Sequence, residues 1–212
     1  MMRMLDLFSG LGGASEAFIQ SGQWLVTRID NNPKFHPITG EYPVSETIIA
    51  DVALDITEDF YPKDVDFMWC SPPCDDFSNA YGSKRSKAAR AGIDYEPDMT
   101  LLLRTIELIE LIKPRYWCIE NVLGASRYFS EHLGTHRIKL GSAMLWGNFP
   151  IIGFEAIESK YKQKAADSNR HSDIRANHRA KIPFWMSEQM RISVQYQMTL
   201  DDFEKSLPQS RG

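Results

Sequence analysis

The chain predicts an α/β fold built on a mainly parallel sheet covered by helices, and three observations carry that prediction. Short apolar runs alternate with helix-patterned stretches as far as Gly124. Each run ends beside a residue able to do chemistry: Asp30, Asp51, the turn at Cys74, and Glu120. Ligands of parallel sheets bind outside the carboxyl ends of the strands, so these placements agree with one another. A glycine-rich turn, Ser9-Gly10-Leu11-Gly12-Gly13, joins the first run to the first helical stretch.

In order, residues 4–8 read as a short buried strand and 14–21 as the beginning of a helix. Residues 24–29 are a second strand with Asp30 at its end, and 47–50 a third ending at Asp51. Residues 65–69 are a fourth, ending at Cys70. Pro97 starts a helix through Ile112, with apolar residues at 102, 106, 109 and 112 in helical spacing, and Pro114 stops it. Residues 116–119 are a fifth strand, ending at Glu120. Past Gly124 the pattern weakens. Residues 143–146 and 151–154 read as strands, 163–180 as polar loop and 183–197 as helix. Thr199 reads as the N-cap of a further helix, with Asp202 three residues on.

A chain of 212 residues with 43% apolar residues holds one cored domain, or one with an appendage. Three cysteines, an odd number, fit a reducing compartment and not a disulfide framework. Asp6 interrupts any secretory apolar region, and no window is long and apolar enough to span a bilayer. The expectation is a soluble, cytoplasmic protein with no membrane partner. A net charge of -4 argues against a protein that coats nucleic acid, while leaving room for a local basic face. Two segments are basic: 83–90, directly after the Cys74 turn, and 160–181, with Lys162, Lys164, Arg170, Arg175 and Arg179. A lone charge run is ordinarily a solvated face. Two of them, one beside a reactive thiol, point toward phosphate contact.

A glycine-rich turn between a first strand and helix lets a ligand approach backbone amides. The spacing here is not the GxGxxG of dinucleotide enzymes, since Ser15 stands where a third glycine would fall. Asp30 is placed to accept both ribose hydroxyls, Asp51 to accept from an adenine amine, and Val52 to pack on the ring. That set suits a nucleoside cofactor without a pyrophosphate and favours S-adenosylmethionine over NAD.

Pro72 and Pro73 stiffen the approach to Cys74. A thiol held at a strand end is positioned as a nucleophile, although the usual fate of cysteine is burial. Being mostly protonated at neutral pH, it needs local positive charge or helix amides, which the basic run 84–90 is placed to supply. Cys70 and Cys74 have no matching Cys/His pair, so no metal is expected. Glu120, buried near a bound base, would have its pKa raised by desolvation and could share a proton with a ring nitrogen.

These residues together resemble the DNA cytosine-5 methyltransferases. Asp6-Leu7-Phe8-Ser9-Gly10-Leu11-Gly12-Gly13 is similar to the family's first motif. Pro72-Pro73-Cys74-Asp75-Asp76-Phe77-Ser78 resembles its nucleophile motif, with Asp75 where the family usually has Gln. Glu120-Asn121-Val122 matches its Glu-Asn-Val motif letter for letter. The resemblance implies a Rossmann-like S-adenosylmethionine-dependent methyltransferase fold, with helices on both faces and a reduced target-recognition region. It implies catalytic roles for Cys74, Glu120 and Asn121. It implies a cofactor site at Asp6, Phe8, Ser9, Gly10, Leu11, Gly12, Gly13, Asp30, Asn31, Asp51, Val52 and Pro72.

By that resemblance, Cys74 attacks carbon 6 of a cytosine flipped out of double-stranded DNA, Glu120 protonates N3, and carbon 5 takes the methyl group. The segment 79–97 is the loop that closes over the base, with Gly82 and Gly92 as hinges. Of the family's Gln-x-Arg-x-Arg motif there is only Thr135-His136-Arg137-Ile138-Lys139, so Arg137 takes that role. The last cofactor motif, with its Asn near the C-terminus, is not recognisable here. Compact phage-type members end similarly, with Leu145-Trp146-Gly147-Asn148-Phe149-Pro150 and later Arg179-Ala180-Lys181-Ile182-Pro183. The expected division is a catalytic domain over 1–155 and a small basic, helical region over 156–212. A monomer in a prokaryotic or viral cytoplasm is expected. RNA cytosine methylation and a catalytically impaired DNA-binding relative remain the alternatives.

Overall fold

The computed structural model describes residues 1–35, 45–49, 63–154 and 180–206. Seven strands form one sheet: β1 (Met2–Leu7), β2 (Trp24–Asp30), β3 (Ser45–Ile49), β4 (Phe67–Cys70), β5 (Tyr116–Val122), β6 (Ile138–Leu140) and β7 (Ala143–Asn148). Their order is β3-β2-β1-β4-β5-β7-β6. The first five run parallel, and β7 returns antiparallel against β5, with β6 antiparallel beside it. Strand order reverses between β1 and β4, and the crevice above such a switch point is where α/β sheets bind ligands.

Period-two alternation sends successive side chains to opposite faces. Met4, Trp24, Val26, Phe67, Trp69 and Cys118 enter one core; Leu5, Leu7, Ile29, Met68, Cys70 and Ile119 enter the other. The first face is covered by α1 (Glu16–Gln20) and α5 (Phe184–Ser206). The second is covered by α3 (Thr100–Ile112) and α4 (Ser126–Leu133). Among the described residues, helix α2 (Lys84–Ala91) differs from these in burying no side chain.

The helix α5 buries Met186, Met190, Val194 and Met198 at steps of four, a stripe that needs a partner face. It finds Phe18, Trp24 and Phe67, whose rings meet at 4.9 and 5.4 Å. Each such side chain taken from water contributes about 1.5–3 kcal/mol. The boundary expected after residue 155 therefore does not separate two cores, because α5 shares its apolar stripe with β1, β2 and β4. At its far end Asp201 accepts from Arg115 and from the Tyr116 hydroxyl at 2.6 Å, which pins α5 to the start of β5.

Several boundaries differ from expectation. β5 runs on to Val122, so Glu120 and Asn121 stand within a strand. Thr199 is no cap: it lies inside α5 and its hydroxyl donates to the Gln195 carbonyl. Residues 152–154 form a turn and not a strand. The third strand is shifted to Ser45–Ile49. Asp51, Val52 and most of the basic stretch 160–181 lie outside the described residues. Among the described residues no helix is long and apolar enough to cross a membrane.

Candidate active site

The glycine-rich turn leaves β1 with unusual backbone angles. Phe8, Gly10 and Gly12 have φ of 58°, 50° and 71°, in the left-handed region. For Phe8 that conformation is costly, and neighbours hold it in place. The Ser9 amide donates to the Ile29 carbonyl, and the Gly12 amide to the Ser9 carbonyl at 2.7 Å. The Gly10 amide donates to Asp30 Oδ2 at 2.8 Å, while Asp30 Oδ1 accepts from the Asn32 amide. Asp30 thus anchors the turn and keeps further acceptor capacity facing the cleft.

Opposite it, β4 ends at Cys70 and the chain turns through Pro72 and Pro73 to Cys74. The Ser71 amide donates to the Leu7 carbonyl, tying this turn to the end of β1. The Cys74 carbonyl accepts from the amides of Phe77 and Ser78. Asn121, fully buried, donates to the Pro72 carbonyl at 2.9 Å. Its side chain ties the Pro-Pro turn to β5 and is not among the residues lining the cleft.

Between the two turns lies a cleft of about 540 Å³. Its lining brings together Asp6, Phe8, Ser9, Gly10, Leu11, Gly13, Asp30, Asn31, Pro72, Cys74 and Glu120. Gly12 is absent from that lining, contrary to its expected cofactor contact; its bare Cα makes room for Arg28 behind the turn. Arg137 is also absent. It is exposed at the start of β6, two strands from Glu120, with its guanidinium 5.6 Å from the Phe149 ring centre. The structure thus does not bring Arg137 together with Cys74 and Glu120 in the cleft.

Sequence reasoning missed the opposite wall. Ala180, Lys181, Ile182, Pro183 and Met186 return from far along the chain to line the cleft. A side chain at Gly13 would put its Cβ 2.4 Å from the Ile182 carbonyl oxygen, so Gly13 is required by this close packing. Lys181 pairs with Glu16 at 2.7 Å. Ser187 donates to the Ala14 carbonyl and accepts from the Ala17 amide. The basic stretch ending in Lys181-Ile182-Pro183 was the available signal, but nothing local assigns it to the cofactor turn.

The electrostatics are acidic. Burial first, then the carboxylates of Glu120 and Asp75, push the Cys74 thiol up to about 11. The expected help from the basic run 84–90 does not reach it. Lys84 pairs with Asp76 at 3.0 Å, Arg85 donates to the Phe77 and Gly124 carbonyls, and Arg90 covers Tyr81 and donates to its carbonyl. Burial raises Glu120 to about 7, with the Ser71 hydroxyl beside it pulling down. Glu120 is walled by protein on most sides and meets solvent through the cleft. Near neutral pH the site holds a protonated thiol and a carboxyl poised to give or take a proton.

Asp6 lies at the cleft floor, 1% exposed, and neither oxygen has a hydrogen-bond partner among the described residues. An uncapped buried carboxyl facing a cleft suits a ligand that brings hydrogen-bond donors or positive charge. With Asp30 and the glycine turn, the donor set fits a nucleoside carrying an amino-acid tail. Among the described residues no group of three metal-binding side chains occurs.

A cleft at the switch point of a parallel sheet, floored by a glycine turn and walled by a thiol and a carboxyl, defines an α/β group-transfer class. Comparison with known proteins supplies the family. Residues 2–137 match the C-5 cytosine-specific DNA methylase model, and the chain belongs to that family of S-adenosylmethionine-dependent methyltransferases. It is 28% identical over 125 residues to a frog virus 3 (isolate Goorha) protein named "Probable DNA (cytosine-5)-methyltransferase", covering 57% of this chain and 53% of the relative. It is 30% identical over 129 residues to the type II methyltransferase M.HgiGI of Herpetosiphon aurantiacus, covering 57% of this chain and 90% of that one. The chain thus spans about half the length of the viral relative. Among solved structures, a mutant of Spodoptera frugiperda DNMT2 is similar at 22% identity, with TM-score 0.42, over 60% of this chain and 37% of that one.

Proposed function

We propose that this chain methylates carbon 5 of cytosine in double-stranded DNA through a covalent bond to Cys74. The observation that carries the reading is the shared cleft, in which Cys74 and Glu120 face the glycine turn and Asp30. Asp6, Phe8, Ser9, Gly10, Leu11, Gly13, Asp30, Asn31 and Pro72 hold the cofactor in this reading. S-adenosylmethionine, when bound, supplies an electrophilic methyl group.

The chain's own residues do the rest. Glu120, half protonated near neutral pH, donates its proton to N3 of the extruded base. That draws electrons from carbon 6, and Cys74 Sγ bonds there as its thiol proton passes to water in the cleft. Carbon 5, now electron-rich, takes the methyl group. Loss of the carbon 5 proton to water breaks the carbon–sulfur bond and restores the ring; the released Cys74 thiolate takes a proton back from water, and Glu120 recovers the N3 proton. Because the thiol sits near 11, attack must be coupled to proton movement and not to a standing thiolate. The basic residues of 84–90 and 160–181 supply phosphate contacts, and binding weakens steeply with salt. In this reading the residues past 155 serve as a small basic substitute for a recognition domain, and the chain works as a monomer.

The test is transfer of labelled methyl to duplex DNA and, in parallel, to tRNA. Transfer to duplex DNA that Cys74→Ser abolishes supports the proposal. Transfer confined to tRNA, or to neither, contradicts it. Bisulfite sequencing of DNA from cells expressing the chain then reports the sequence context.

A further inference from the structure

Arg28 stands in β2 with 8% of its surface exposed. Buried guanidinium groups ordinarily pair with carboxylates. Arg28 directs its protons elsewhere. Its Nε donates to Ser15 Oγ at 2.8 Å and its Nη2 to the Gly12 carbonyl at 3.0 Å, both in the segment between β1 and α1. The parallel register sets Arg28 directly beside Asp6 on β1, and both point to the same face of the sheet. Yet both Asp6 oxygens lack a hydrogen bond among the described residues. A buried cation and a buried carboxyl thus sit side by side without one capping the other. The space for the guanidinium comes from Gly12, where an added Cβ would fall 1.7 Å from Nη2.

We propose that Arg28 is a positioning residue for cofactor binding: it grips the glycine-rich turn from behind and leaves the neighbouring Asp6 carboxylate open to the cationic end of the ligand. The inference rests on reading the cleft as the S-adenosylmethionine site. It differs from a purely structural role in one respect: Arg28 also tunes Asp6 electrostatically.

The charged and titratable groups around Asp6 fix the sign. Burial raises its carboxyl to about 6; the Ser15 hydroxyl and then the Arg28 cation pull it down, and Asp30, also on β2, pushes it up. Glu16, on α1, acts on Arg28, and Cys70, on β4, is a neutral thiol pushed well above its ordinary range. Removing the cation at 28 therefore raises Asp6 further and keeps it protonated to higher pH. Cofactor binding that needs the carboxylate then fades at a higher pH than in the wild type.

Isothermal titration of the full chain with S-adenosylmethionine and S-adenosylhomocysteine, from pH 5 to pH 7.5, tests this. Wild-type affinity is expected to fall as pH drops through the Asp6 value of about 6. Arg28→Met is expected to bind about tenfold more weakly at neutral pH, with its midpoint moved upward. Arg28→Lys keeps the charge and so keeps the wild-type midpoint, while losing affinity through the missing turn contacts. Asp6→Asn binds weakly and without pH dependence in this window. A wild-type midpoint or wild-type affinity in Arg28→Met overturns the proposal. Should that variant fail to fold by circular dichroism, Arg28→Lys decides: wild-type midpoint with weaker binding supports it, and a moved midpoint or unchanged affinity overturns it. If the wild type binds neither ligand at any pH, the cofactor reading fails and Arg28 is not at issue.

Discussion

At and behind the floor of the cleft, Asp6, Ser15 and Arg28 are 1%, 0% and 8% exposed; strand register sets Arg28 beside Asp6, and a hydrogen bond joins it to Ser15. Beyond the Cys74 turn, the following segment carries α2, which buries nothing, and is held by polar ties at its surface. Ser83 caps α2 by accepting from the Ser86 amide, and Gly92 ends it in the left-handed region at φ 68°. Asp76 receives both the Tyr95 hydroxyl and the Lys84 ammonium, fastening the segment to the Cys74 turn. The floor therefore holds a carboxyl raised by burial, whereas the segment beyond the Cys74 turn is fastened by exchangeable surface contacts. Changes at the floor should register in stability and cofactor affinity. Changes beyond the turn should register in access.

The sharpest way to break that contrast is Gly12→Ala. The new methyl meets a buried guanidinium and the backbone stands at φ 71°, so Arg28 must leave two hydrogen bonds behind. A loss of about 3 kcal/mol or more is expected in chemical denaturation. A neutral result would mean the floor yields as easily as the surface.

Glu120→Gln comes next and acts in two directions. The folded carboxyl titrates near 7 against an ordinary 4.5, so folded protein holds this proton longer than unfolded chain. Stability from this group is full below about 4.5 and falls as pH rises through about 7. Glutamine cannot ionise, so the variant's melting midpoint should exceed the wild type's at pH 8 and match it near pH 5. Turnover should fall by about 10²–10⁴-fold with loss of the proton donor. Equal midpoints at both pH values would remove the buried-acid account.

The smallest effect belongs to Tyr95→Phe. Deleting a surface hydroxyl bond to Asp76 costs about 1 kcal/mol or less. Hydrogen exchange over 79–97 should quicken while the sheet is unchanged. An equally large stability loss here and at Gly12 would erase the distinction between the two regions.

The same contrast explains what the sequence made legible. β1, β2, β4 and β5 could be read because each is an apolar run closed by a polar residue at the ligand edge. The Cys74 turn and Glu120 could be placed because both stand at such edges. Invisible were features created by distant pairing. β6 has three residues and exists through β7. Helix α4 is eight residues long, too short for Tyr128, Phe129 and Leu133 to stand out as a helical run. The return of Lys181-Ile182-Pro183 to the glycine turn depends on α5 finding Phe18 and Trp24. The field around Cys74 was misjudged for the same reason: the basic run is near in sequence, but Lys84, Arg85 and Arg90 turn to Asp76, backbone carbonyls and Tyr81 and not to the thiol.

The most direct measurement is peptide mapping by mass spectrometry after incubation with S-adenosylmethionine and a duplex carrying 5-fluorocytosine, which lacks the carbon 5 proton whose loss frees the enzyme. The account predicts a covalent nucleotide adduct on the peptide containing Cys74 and no other. An adduct on Cys70 or Cys118, or none despite measurable DNA binding, would contradict it.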